Sequence, residues 1–76
     1  MIAITLPWED WRAVIDVLRA HGLPYEVEHA DLIERQLDQH AADEPTVTLS
    51  LTDDVYLRSY NGARLHLGIP LPPMER

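Results

Sequence analysis

Apolar residues recur with two different periods in this chain, and the change falls at Pro45. Before it, Trp11, Val14, Ile15 and Leu18 are spaced by threes and fours, which lays them along one face of a helix. After it, Val47, Leu49 and Leu51 alternate with Thr46, Thr48, Ser50 and Thr52, which lays the apolar set on one face of a strand. A sequence holding both periods has to pack helices against a sheet, so an α+β fold is expected.

Local signals divide the chain further. Residues 2–6 alternate and predict a strand with Ile2, Ile4 and Leu6 inward. Pro7 suits a first helical position, and Glu9 and Asp10 follow where acids favour the helix dipole. This helix is expected to run to Ala20 or His21 and to stop at Gly22 and Pro24. A second helix is expected from Pro24 or Tyr25 to Ala42, with Ala30, Ile33, Leu37 and Ala41 as its stripe. The short link between them predicts an αα-hairpin.

Beyond Asp53 the β-branched and aromatic content favours strands. Residues 55–60 and 64–69 are expected as a hairpin turning at Tyr60-Asn61-Gly62, because that parity opposes Leu57 to Leu65 and Val55 to Leu67. The rival is a short third helix over 53–60 with Gly62 as its cap. The expected architecture has two layers, an αα-hairpin packed on a small antiparallel sheet in the order β-α-α-β-β-β. It forms one domain over residues 1–69. Residues 70–76, rich in proline and carrying Pro70 and Pro73 in P-x-x-P spacing, are expected as an extended tail.

Size limits the core. A chain near 76 residues buries only about 60% of the surface its unfolded form exposes. There is no cysteine, so no disulfide and no thiolate metal site can brace it. Good packing or self-association has to serve instead, and a homodimer is expected.

The absences also exclude chemistry. Without lysine there is no Schiff base and no P-loop lysine, and without cysteine there is no thiol nucleophile. Ser50 and Ser59 lack a glycine-flanked elbow. Asp53-Asp54 is an acidic pair where turn chemistry explains it. The expectation is therefore a non-enzymatic protein without a cofactor. Glu26 and His29, spaced i,i+3, and His40 with Asp43 are the only weak metal candidates. No basic n-region, apolar run or membrane-length stretch is present, so the cytoplasm is expected. Six arginines without a lysine point to a GC-rich, bacterial coding sequence.

Charge and aromatics supply the remaining candidates. Of a net charge of −7, most lies in residues 25–44, with seven acids against Arg35. Glu28, Asp31, Glu34 and Asp38 form an expected acidic face, fit for a basic protein partner but not for direct binding to nucleic acid or an anionic membrane. Trp8 and Trp11 read as core residues, with Trp8 at the stripe's edge as an interface anchor. Tyr56, Arg58, Tyr60, Arg64 and His66 are expected on the polar face of the hairpin, where a second copy would dock. The function these features favour is a self-associating interaction or accessory module. The alternatives are an acidic nucleic-acid mimic, or a weak metal binder.

Overall fold

The computed structural model describes residues 1–40 and 43–69. Strand β1 (Ile2–Leu6) leads into helix α1 (Trp8–His21), then helix α2 (Pro24–Leu37) and strand β2 (Val47–Leu51). A continuous helical run follows, made of α3 (Asp53–Val55), a π-helical segment (Tyr56–Tyr60) and α4 (Asn61–Leu67). The strands pair antiparallel with Ile4 opposite Leu49 and Thr5 opposite Thr48. Ile4, Leu6, Val47, Leu49 and Leu51 face inward, while Ala3, Thr5, Thr48 and Ser50 face solvent.

The first half follows its local signals closely. The α1 stripe of Trp11, Val14, Ile15 and Leu18 is fully buried. Gly22 closes that helix at φ 72°, where an L side chain would be strained, and its N–H donates to the Arg19 carbonyl. Pro7 sits one position earlier than expected. It is the N-cap, its carbonyl accepts from the Trp11 and Asp10 amides, and Pro24 takes the first helical position of α2. Helix α2 stops at Leu37 rather than Ala42. The amides of Gln39 and His40 reach back only three residues, to Gln36 and Leu37, so the last turn tightens and ends. Ala41 and the proline-rich residues 70–76 lie outside the described residues.

The expected hairpin over 55–69 is absent, and so is the β-α-α-β-β-β order; the sheet has two strands. Helix signals at both ends outweigh β propensity. The Thr52 hydroxyl accepts the Val55 amide, and Asp53 and Asp54 occupy the first turn rather than a loop. At the far end Gly68 adopts φ 75°, and the Ile69 amide donates back to the Arg64 carbonyl at 2.8 Å. Gly62 is not the cap of a short helix; the helix runs through it to Leu67. Burial explains the outcome. Val55, Ser59, Tyr60, Ala63 and Arg64 turn inward at helical spacing, while Leu57 and Leu65 are left 65% and 64% exposed.

The π-helical segment brings Ser59 under α2 and Tyr60 against Trp11, whose ring centroid lies 5.8 Å away. Trp11 is the hub of the core. Its Nε1 donates to the Val47 carbonyl at 2.9 Å and so ties α1 to the start of β2. On the outer edge of β2, the Gln36 side chain donates to the Ser50 carbonyl and accepts the Ser50 amide. One amide side chain thereby does the work of a neighbouring strand there.

Candidate interaction surface

The acidic face of α2 is largely a seam. Arg12 reaches Glu34 at 3.1 Å, and Arg19 reaches both Asp31 at 2.9 Å and Glu34 at 2.7 Å. Hydrogen bonding from Arg19 holds the Glu34 carboxyl below its ordinary value, and the two acids hold the Arg19 guanidinium above its own. Of the expected acidic face, Glu28 and Asp38 stay exposed without an ion pair among the described residues. The sign of the pH effect follows. A lowered folded-state pKa adds stability above the ordinary carboxyl value of 4.5 and loses it as pH falls through the folded value. Arg19→Ala is expected to lower the melting temperature at neutral pH, with the difference from the parent chain shrinking toward acid; calorimetry between neutral pH and strong acid reads this.

The five residues expected on one hairpin face are divided. Tyr60 and Arg64 are buried, whereas Arg58 and His66 point outward and Tyr56 is half-buried. Arg64 is spent on the helix end: its Nε donates to Asn61 and its Nη1 to the Ile69 carbonyl. Trp11 is wholly internal, and Trp8 packs half-buried against the core.

Tyr60 is enclosed by Trp11 and a stacked Tyr56, and its hydroxyl has no hydrogen-bond partner among the described residues. Burial, reinforced by Tyr56, pushes its ionisation up from 10.0 to about 12. A raised folded pKa means full stability below pH 10.0, lost as pH rises toward about 12. Tyr60→Phe removes an unsatisfied group and should raise stability by about 1 kcal/mol. It should also flatten the alkaline limb of the unfolding curve.

The metal candidates are likewise divided. Glu26 turns toward His21 Nδ1, 3.2 Å from either carboxylate oxygen, although its i,i+3 partner was His29. His29 instead shares a hydrogen bond between Nδ1 and Ser59 Oγ, and its Nε2 lies 3.3 Å from Asp54 Oδ2. His40 meets Glu44 at 3.1 Å rather than Asp43. Among the described residues, no group of three or more metal-ligating side chains comes together.

Ser59, His29 and Asp54 thus form a serine–histidine–carboxylate chain that sequence reasoning missed. The neutral tautomer protonated at Nε2 satisfies both ends, accepting the serine proton at Nδ1 and donating to Asp54. Its connectivity resembles a hydrolytic triad, but accessibility decides its role. Ser59 is 0% exposed, so no substrate carbonyl reaches its oxygen. The chain acts as a tie between α2 and the helical run.

That tie shapes the outer surface. Tyr25 lies edge-on to His29 at 5.9 Å, and the Arg58 guanidinium sits 5.0 Å over the Tyr25 ring while reaching Asp54 at 3.6 Å. His66 meets His21 edge-on at 6.4 Å. The α1–α2 elbow and the helical run therefore make one continuous face. Leu23 and Tyr25 on the elbow and Leu57 and Leu65 on the helical run are exposed, four of the six exposed large apolar side chains among the described residues. Helix α2 also carries an open depression of about 230 Å³ lined by Glu28, Asp31, Leu32 and Arg35.

The fold is a small mixed α/β unit with helices packed on a two-stranded antiparallel sheet. Comparison with family models, with known proteins and with solved structures finds no match to this chain. Among the described residues no helix is long and apolar enough to cross a membrane.

Proposed function

We propose that this chain is a non-enzymatic interaction module and that the elbow face is where it holds a partner protein. The observation carrying this reading is the exposure of Leu23 and Tyr25 on the elbow and of Leu57 and Leu65 on the helical run, two elements joined at the surface by Tyr25–Arg58 and His21–His66. Burying a leucine or a comparable side chain on binding contributes about 1.5–3 kcal/mol. Tyrosine and arginine are, with tryptophan, the side chains enriched in binding hot spots. A stacked Tyr25–Arg58 pair offers both with little ordering left to do. The partner's chemistry follows: apolar anchors for the leucines and for Tyr25. An accessory or regulatory subunit fits these features, and a bacterial cytoplasm fits the absence of cysteine and lysine.

The acidic-mimic reading draws less support. It needs a row of unneutralised carboxylates, and Arg12 and Arg19 engage Asp31 and Glu34 within the chain. Metal binding draws less still, because each candidate pair is split between other partners.

The test is Leu57→Glu with Leu65→Glu, compared with Glu9→Lys as a distant control. Both leucines are exposed, so unfolding should shift by no more than about 0.5 kcal/mol. In quantitative capture from the source cells, a protein held by the parent chain and by the control should be lost from the double variant. An identical captured set for all three chains contradicts the reading.

A further inference from the structure

We infer that β1 is a self-pairing edge, and that two copies of this chain join β1 to β1 antiparallel into one continuous sheet. This rests on the sheet alone and not on the elbow face.

The hydrogen-bond parity of the sheet points there. Both main-chain groups of Ser50 are turned away from β1, toward Gln36. Ser50 stands opposite Ala3 and Thr48 opposite Thr5, so these are the non-hydrogen-bonded pairs of the ladder. The close Thr5–Thr48 hydroxyl contact of 2.7 Å agrees, since side chains approach most closely at such pairs. It follows that the amides and carbonyls of Ala3 and Thr5 also point outward, to the open side of β1. Among the described residues nothing bonds to them.

The two edges are treated differently. Edge strands are ordinarily blunted by a charge, a proline, a bulge or a cover. On β2 the Gln36 amide supplies a cover. Residues 2–6 carry none of these devices, only Ile-Ala-Ile-Thr-Leu. A sheet of two short strands is also marginal by itself.

Self-complementary parity selects a second copy as the occupant, and charge permits it. Each copy carries −7, so two copies meet favourably only where acids stay apart. The uncharged β1 edge is such a place, with Glu9 and Asp10 beyond its end. Parity and overlap then select the register. Side chains keep their faces only if paired residue numbers sum to an even value. Full overlap of residues 2–6 places Ile4 on the two-fold axis, Ala3 opposite Thr5 of the other copy, and Ile2 opposite Leu6. Each Ala3–Thr5 pair then exchanges both main-chain bonds. Ile2, half-buried in the single chain, gains apolar cover on the inner face. The contact is isologous and closes on itself. Its area is small, so association is weak.

The absence of native cysteine allows a clean test. Ala3→Cys and Thr5→Cys chains are made separately and oxidised alone or mixed. Hydrogen-bonded neighbours stand close enough for a disulfide, about 5.5 Å between Cα atoms. The mixture should give a linked heterodimer several-fold faster than either chain alone gives a homodimer. Equal rates in all three samples would overturn the register, and rates no higher than for a cysteine placed at Asp16 would overturn the interface. In parallel, sedimentation at about 100 µM should register association of the parent chain that Ala3→Pro abolishes. Leu57→Glu with Leu65→Glu should leave that association unchanged, so failure of the elbow-face reading and failure of this one are read separately.

Discussion

Replacing Trp11 with alanine is expected to cost this chain a large share of its stability. Trp11 is 0% exposed and touches the architecture at two points, donating to the Val47 carbonyl and packing on Tyr60. Truncating such a residue costs about 3–5 kcal/mol, because the cavity is only partly refilled. The whole stability of a chain this size is roughly 4–11 kcal/mol at the usual value per residue. The loss is therefore roughly a third of the total at least, and matches it at the low end of the range. Trp11→Phe separates the two contributions. It keeps much of the apolar volume but removes the indole hydrogen bond to the Val47 carbonyl, which still faces Leu6 across the sheet, at a cost of about 0.5–1.5 kcal/mol. Urea melts of the three chains should rank parent, phenylalanine and alanine in that order. An alanine variant as stable as the parent would mean that Trp11 does not join α1, β2 and the helical run.

The second large effect concerns the buried tie between α2 and the helical run. His29→Ala opens a cavity and leaves the Ser59 hydroxyl without its partner, so about 3 kcal/mol should be lost. Ser59→Ala removes one hydroxyl and leaves His29 still facing Asp54, so about 1–2 kcal/mol is expected. The double variant should cost less than the sum, by about 1 kcal/mol, because the second change removes a group the first had already stranded. Location matters as much as size. Amide exchange should accelerate over 56–66 in the His29 variant while α1 keeps its protection, since α1 is held by Trp11 and the arginine seam. Additive losses would place His29 and Ser59 in separate networks.

How far the chain could be read without its structure differs by region, for physical reasons. Helix α1 carries its whole description locally, with an apolar stripe, early acids and Gly22 at its left-handed end. Strand β2 is equally plain, since Val47, Leu49 and Leu51 alternate without exception. Residues 53–67 are ambiguous because Val55, Leu57, Ala63, Leu65 and Leu67 satisfy a period of two while Val55, Ser59, Tyr60, Ala63 and Arg64 satisfy helical spacing. The choice belongs to the caps and to distant partners. Thr52 with two acids after it, and Gly68 just before Pro70, were legible helix boundaries outweighed by β-branched content. That His29 would take Ser59 from thirty residues away was not legible, because it depends on how α2 crosses the helical run. The same applies to Arg12 and Arg19. Their reach to Asp31 and Glu34 converts an apparent acidic face into a seam, and only helix packing reveals it.

The elbow face exists only if residues 53–67 are helical and docked on α2. Heteronuclear NMR on the labelled parent chain tests this most directly. The account predicts helical Cα shifts from Asp53 through Leu67 and a nuclear Overhauser contact between the His29 ring and the Ser59 Hβ protons. Extended shifts over 55–60 and 64–69, with cross-strand contacts between Ser59 and Ala63, would contradict it.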